Sequence, residues 1–190
     1  MNRPDPKAVR ASRLKLLLVA SIFAAPFVAA LLLTLGGWHP GVKGHGLPVL
    51  PQRNLAQEHL RVKLDDGSDW AWRAGTPQLT LVALPGPACA ARCFEALTGM
   101  AKAWKMLNNN QSRLRLLYVG APPADAAQVM AMKNYWRLGS DVDHRLDAYR
   151  PTAPDSVGAL LVESDGTVLS RYPDGFDVSG LLQDMRKVIR

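Results

Sequence analysis

Twenty-three consecutive residues, Leu16 to Trp38, carry no charged side chain. An apolar helix of roughly 20 residues can cross the hydrocarbon core of a bilayer, so this run divides the chain. It cannot share a water-facing fold with the polar sequence that follows. Arg3, Lys7, Arg10, Arg13 and Lys15 lie on its N-terminal side against the single acid Asp5. The positive-inside bias keeps such a tail in the cytoplasm and exports what comes after. Trp38 falls at interfacial depth, and a proline such as Pro26 is tolerated within a span. A cleaved signal peptide is the competing reading. Its apolar region is shorter, about 7–15 residues, and ends in a small-x-small site, whereas Gly36-Gly37-Trp38-His39-Pro40 is a poor one. The expectation is a single-pass protein of the inner membrane. Residues 1–15 form a cytoplasmic basic tail, 16–38 an uncleaved helix in contact with lipid, 39–57 a tether rich in Gly and Pro, and 58–190 a periplasmic domain.

The formal charge of +7 belongs mostly to that topology signal. The first 15 residues contribute +4, which leaves +3 for the remainder, with 18 cations against 15 acids. Without a basic stripe or an aromatic ladder, this excludes a nucleic-acid partner. The residues beyond the anchor are numerous enough for one domain with a real core.

Within that domain, apolar periodicity sets the order of elements. Leu60–Leu64 alternates apolar and polar residues, Asp65–Ser68 reads as a turn, and Trp70–Trp72 resumes the alternation; together they predict a β-hairpin. Leu79–Leu84 is an apolar run suited to a buried strand. Ala90–Leu107 places Phe94, Leu97, Met100, Ala101, Trp104 and Leu107 at helical steps. Leu114–Val119 predicts a strand, and Pro122 opens a helix to about Leu138, with Gly139 as its stop. Residues 141–154 are polar and irregular. Val157–Val162, the Ser164-Asp165-Gly166 turn and Thr167–Tyr172 form a late hairpin, and Val178–Ile189 a last amphipathic helix. After the first hairpin the order is β-α-β-α-β-β-α. It implies an α/β domain with parallel pairing first and antiparallel pairing last, the thioredoxin-like order.

Cys89 and Cys93 are the chain's only cysteines. They fall where the first long strand gives way to the first helix, and ligands of such sheets sit beyond the carboxyl ends of strands. A helix N-terminus presents free N–H groups and a positive dipole end, which favour a thiolate; Arg92 adds a cation. An exported domain meets an oxidising compartment where a disulfide persists. A purely structural staple is one reading, but so short a loop removes little entropy from the unfolded chain. The others are a thiol–disulfide centre, with Cys89 attacking and Cys93 resolving, and a soft-metal site in which two thiolates and an imidazole hold Cu(I).

The combination of one N-terminal anchor, Cys89-x-x-x-Cys93 at the strand-to-helix turn, and the ending Ser164 to Tyr172 before a last helix resembles the Sco/SenC group of membrane-anchored thioredoxin-like proteins. Trp38-His39-Pro40 and the stretch His45 to Pro51 are similar to the short Sco-related proteins associated with cytochrome c oxidase assembly. The resemblance implies copper held by both cysteines and a distal histidine, serving copper delivery or thiol reduction at the oxidase, with an oxidase subunit or another assembly factor as partner. The cysteines match. The histidine does not: its family position falls near Asp155 or Ser156, and the only downstream histidine, His144, stands more than ten residues earlier. His144 is the candidate third ligand to Cu(I) beside Cys89 and Cys93. The mismatch leaves two alternatives, a non-catalytic scaffold with a structural disulfide and a general thiol–disulfide oxidoreductase. Pro154 is the candidate for the proline that precedes this strand in thioredoxins, and the Trp-Cys-x-x-Cys form of the oxidoreductases is absent.

Other motifs point elsewhere only weakly. His39 and His45 lie in the tether, and His59 precedes a strand without a visible role. Asp141, Asp143 and Asp147 share one loop but lack the glycine and distal Glu of a calcium hand. No phosphate loop, zincin helix or nucleophile elbow is present. Trp70, Trp72, Trp104 and Trp136 are expected in the core or at its edges.

Overall fold

The structure is a computed structural model that describes residues 6–35 and 44–189, in two units divided between Lys43 and Gly44. The first holds α1, Pro6–Leu35, a continuous helix of 30 residues with Pro26 inside it. Leu16, Leu18, Val19, Ile22, Phe23, Phe27, Val28, Leu31 and Leu32 are all exposed. At 3.6 residues per turn they are spread around the whole circumference, without a polar face. Among the described residues no helix is long and apolar enough to cross a membrane. The expected span, 16–38, runs past the end of α1, and its closing Trp38 and the first five residues of the tether lie outside the described residues.

The second unit is a six-stranded mixed sheet. β1 is Val62–Leu64, β2 Leu79–Pro85, β3 Leu114–Val119, β4 Arg137–Asp141, β5 Val157–Val162 and β6 Val168–Tyr172. Their order across the sheet is β1-β4-β3-β2-β5-β6. β2 is central, parallel to β3 and antiparallel to β5, and all seven of its residues are buried, as its mostly apolar run requires. The helices are α2, Ala91–Lys105; α3, Ala126–Lys133; and α4, Val178–Val188. Alternate residues of the strands point to opposite faces. On one face Leu81, Ala83, Leu116 and Leu161 meet Leu97 and Met100 of α2 and Leu181 and Met185 of α4. On the other, Val82, Leu84, Leu117 and Leu160 meet Leu55, Trp70, Trp72 and Leu146. Each of the valine, leucine and methionine side chains contributes roughly 1.5–3 kcal/mol of burial, and the two layers clamp β2 and whatever leaves its ends.

Three expectations need correction. The first hairpin does not form as a ladder. β1 pairs with β4, Val62 opposite Asp141 and Leu64 opposite Gly139, and the returning chain keeps only an isolated bridge, Lys63 to Asp69. Trp70 and Trp72 turn inward instead, and Trp72 donates its indole N–H to the Leu60 carbonyl at 2.7 Å. The helix expected to reach Leu138 stops at Lys133, and Arg137–Asp141 becomes β4. Packing drives this: Trp136 and Leu138 are buried, and Gly139 sits so close to β1 that a Cβ there would lie 2.8 Å from the Val62 side chain. Finally, residues 44–57 of the expected tether lie along the domain. Leu47 bridges Arg171 and Asn54 bridges Thr167, and Leu55 is completely buried. Their fastening is Asp184 of α4, which accepts the backbone N–H groups of His45 at 2.6 Å and Gly46 at 3.0 Å and the Tyr172 hydroxyl at 3.2 Å.

Candidate functional site

β2 ends at Pro85, and the chain turns through Gly86-Pro87-Ala88 to Cys89 before α2 begins at Ala91. Gly86 sits against the far loop: its N–H donates to the Ser156 carbonyl at 2.9 Å, and a Cβ there would press on the Ala153 carbonyl oxygen and lie 2.6 Å from Ser156 Oγ. Cys89 and Cys93 are joined in a disulfide, with Cα atoms 5.1 Å apart. Cys93, on the first turn of α2, is buried, whereas Cys89 is half-exposed. The asymmetry matches the order expected from sequence, an accessible sulfur first and a protected one second.

The first turn of α2 cannot cap itself, because Ala90 at the N-cap has no side-chain acceptor. The acceptor arrives from the connection before β5. Asp155 takes the N–H groups of Ala90 at 2.8 Å, Arg92 at 2.9 Å and Cys93 at 2.9 Å. Its own N–H donates to the Ala88 carbonyl at 3.1 Å, and its backbone is left-handed, φ 52°, an uncommon conformation outside glycine. These bonds, the one from Cys93 foremost, hold the Asp155 carboxyl below the usual carboxylate range. Arg92 pairs with Asp174 at 2.9 Å. A cleft of about 320 Å³ lies beside this turn, lined by Arg92, Glu95, Gly99, Asp155, Phe176 and Val178.

A second loop contact braces the same edge. Arg150 donates to the carbonyls of Val119 at 2.8 Å and Pro85 at 3.3 Å, tying together the carboxyl ends of β3 and β2. It also pairs with Asp147 at 2.9 Å. His144 follows β4 on this loop, is mostly exposed, and sets Nδ1 3.2 Å from Asp147 Oδ2. Its observed partner is therefore Asp147, not a sulfur. Among the described residues no group of three or more His, Cys, Asp or Glu side chains could hold a metal ion. The expected acidic loop cluster is spent internally. Asp141 accepts the Leu146 N–H at 2.7 Å, Asp143 pairs with Arg61 at 3.0 Å, and Asp147 serves Arg150 and His144. His45 is clamped to α4, with Nε2 3.3 Å from Gln183 Oε1; His59 is exposed; His39 lies outside the described residues. Pro154 stands next to Asp155 in the loop before β5; the only cis peptide bond among the described residues is Leu50–Pro51.

Residues 79–190, from the start of β2 to the chain's end, match the family model described as transmembrane-like, thioredoxin-like, C-terminal domain. The chain belongs to that family. Among solved structures, apo Sco1 from Thermus thermophilus is similar, with 13% identity over 77% of this chain and 97% of that one, and a TM-score of 0.54. Copper-bound ScoI from Arabidopsis thaliana is similar as well, with 17% identity over 68% of this chain and 95% of that one, and a TM-score of 0.50. Both show the thioredoxin-like fold. No curated protein matches. Family membership covers the disulfide, α2 and the Asp155 loop together. Asp155 was legible only as the place where the Sco histidine would stand. Its bonds to α2 span 62 to 65 positions of sequence and follow no local pattern.

Proposed function

We propose that this protein is a membrane-anchored, Sco-like accessory factor for assembly of a respiratory cytochrome c oxidase, acting by thiol–disulfide exchange at Cys89 and Cys93. The observation that carries the proposal is the Cys89–Cys93 disulfide at the N-terminal turn of α2, with one sulfur accessible and the other sheltered. In the reduced protein the Cys89 thiolate attacks one sulfur of a partner disulfide, and the other partner sulfur leaves as a thiol, taking up a proton. Cys93 then attacks Cys89 Sγ, closing the disulfide and releasing the second partner thiol with the remaining proton. Two electrons and two protons pass from this chain to its partner. Arg150 and Asp155 hold the β2 end and the helix start in register meanwhile, so both sulfurs stay within reach of each other.

Residues 16–38 anchor the domain in the inner membrane with the N-terminus cytoplasmic and residues 44–190 periplasmic. Support comes from the exposed apolar side chains around residues 16–32 of α1, from the five cations on their N-terminal side, and from a disulfide suited to an oxidising compartment. A second reading is copper handling, with Cu(I) as cargo. The oxidised pair does not fit it, because soft-metal binding needs free thiolates. The reduced pair supplies two soft donors, and His144, on an exposed loop at the same carboxyl edge of the sheet, supplies an imidazole once it leaves Asp147.

Complementation of a strain lacking the protein tests both. With Cys89→Ser or Cys93→Ser, the oxidase's copper content is expected to fall; with His144→Ala it falls only under the copper reading. Normal oxidase assembly in both serine variants would overturn the proposal and leave a scaffold.

A further inference from the structure

We propose that Asp155 is a positioning residue that sets the redox bias of the cysteine pair, holding it toward the disulfide so that the reduced form acts as an electron donor. The inference deepens the thiol-exchange reading above and rests on it.

A helix N-terminus ordinarily lends its free N–H groups and positive dipole end to a cysteine thiolate, which stabilises the reduced pair and makes the disulfide oxidising. Here that resource is taken. The N–H groups of Ala90, Arg92 and Cys93 all point to the Asp155 carboxylate at 2.8–2.9 Å. The anion sits on the turn that carries both sulfurs, so a thiolate formed there meets a like charge at the place where it would otherwise find donors. The cation on this turn gives little relief, because Arg92 is paired with Asp174. The other charged group on this face of α2, Glu95, is also an acid, and Arg150 spends its guanidinium on Asp147 and two carbonyls. Burial adds to the effect, since Cys93 is 1% exposed and a desolvated thiolate is disfavoured. Every term removes thiolate stabilisation that would otherwise favour the reduced pair, and so shifts the balance toward the disulfide. A low-potential pair reduces a partner disulfide and is itself hard to reduce.

A cap of purely mechanical value would show the same hydrogen bonds, so the test must read charge. The full-length protein in detergent micelles is equilibrated in glutathione buffers, and the free thiols are alkylated and counted by mass. Asp155→Asn keeps the size and one acceptor but removes the charge. It is expected to make the disulfide about tenfold easier to reduce, a rise of ~30 mV for this two-electron couple, while Asp155→Glu returns most of the way to wild type. The unsubstituted protein supplies a second reading that needs no variant. Because Asp155 is half-exposed, raising ionic strength from about 0.01 M to 1 M, which shortens the screening length from ~30 Å to 3 Å, shifts its potential in the same direction. A potential unmoved by both the asparagine variant and salt overturns the assignment. The readout needs no partner, so it is separable from the oxidase complementation, whose failure would instead overturn the proposed function.

Discussion

Replacing Asp184 by alanine should release the segment that enters the domain. The carboxylate accepts the His45 and Gly46 N–H groups at 2.6 Å and 3.0 Å, the Tyr172 hydroxyl at 3.2 Å and Lys187 Nζ at 3.1 Å, and Asp184 is 7% exposed. A hydrogen bond to a charged group is worth roughly 1.5–3 kcal/mol, and a buried donor left unmet costs about 1–3. His45 is exposed and Gly46 half-buried, so water re-solvates part of what is orphaned, and the low end applies: about 2–3 kcal/mol for the pair of backbone bonds. That penalty falls on local opening of residues 44–47, where Leu47 and Arg171 exchange two further bonds at 2.8 Å. Amide exchange at residues 45–47 in the full-length protein is expected to accelerate about 30- to 150-fold, at ~1.4 kcal/mol per factor of ten, while β2 and β3 keep their protection. Exchange of those amides within about threefold of wild type would refute the reasoning, because hydrogen bonds of this strength cannot be removed from a closed state without loosening it.

The same carboxylate makes the fastening acid-sensitive. Burial raises the Asp184 pKa, but the bonds from Gly46, Lys187, His45 and Tyr172 outweigh it and leave the group below its ordinary value. Its contribution is therefore complete above the unfolded value of about 3.9 and lost as pH falls through the lower folded one, so exchange at residue 45 should rise steeply only below about pH 4. Tyr172 behaves oppositely. Burial pushes its hydroxyl up to about 12, so its share of stability holds below the ordinary value and fades as pH rises through the folded one, and its ultraviolet titration should fall above the ordinary tyrosine value of about 10. Leu97→Ala, under α2 at 1% exposure, is expected to cost about 2–5 kcal/mol in urea unfolding of the detergent-solubilised protein. Gly86→Ala forces the cysteine turn off the Ala153 carbonyl and should cost about 1–3 kcal/mol and slow reduction of the disulfide by glutathione; unchanged kinetics would mean the turn relaxes freely. Cys93→Ser should accumulate a mixed disulfide at Cys89 on reaction with an oxidised peptide, whereas Cys89→Ser should not.

What the sequence disclosed depended on whether a segment's own pattern agreed with its surroundings. β3 and β5 were expected with their observed bounds and β2 within one residue, because strands in the middle of a sheet bury nearly all their residues and read as apolar runs, interrupted here only by Thr80 in β2 and Arg115 in β3. The helices α2 and α4 were legible from their stripes for the same reason. β4, Arg-Leu-Gly-Ser-Asp, has no such pattern; it is a strand because β1 and β3 flank it, and nothing local says so. Residues 44–57 read as a tether because Gly, Pro and polar residues recur in them, yet Leu55 and Val49 are buried in the layer that Trp70, Trp72 and Leu146 also build on that face of the sheet. At the site, the placement of Cys89 and Cys93 between β2 and the first turn of α2 was legible from the apolar pattern on either side. The carboxylate that governs their turn was not, because Asp155 reaches α2 across 62 to 65 positions of sequence and only the fold brings it there.

The central claim is that the Cys89–Cys93 pair is a working thiol–disulfide couple. The direct measurement is a redox titration of the full-length protein in native membranes, followed by alkylation of free thiols and mass readout. A reversible transition with two electrons per molecule, changing tenfold in ratio over about 30 mV, is the predicted result. A pair that stays oxidised in excess dithiothreitol while the domain remains folded would contradict the account and make the disulfide a structural staple.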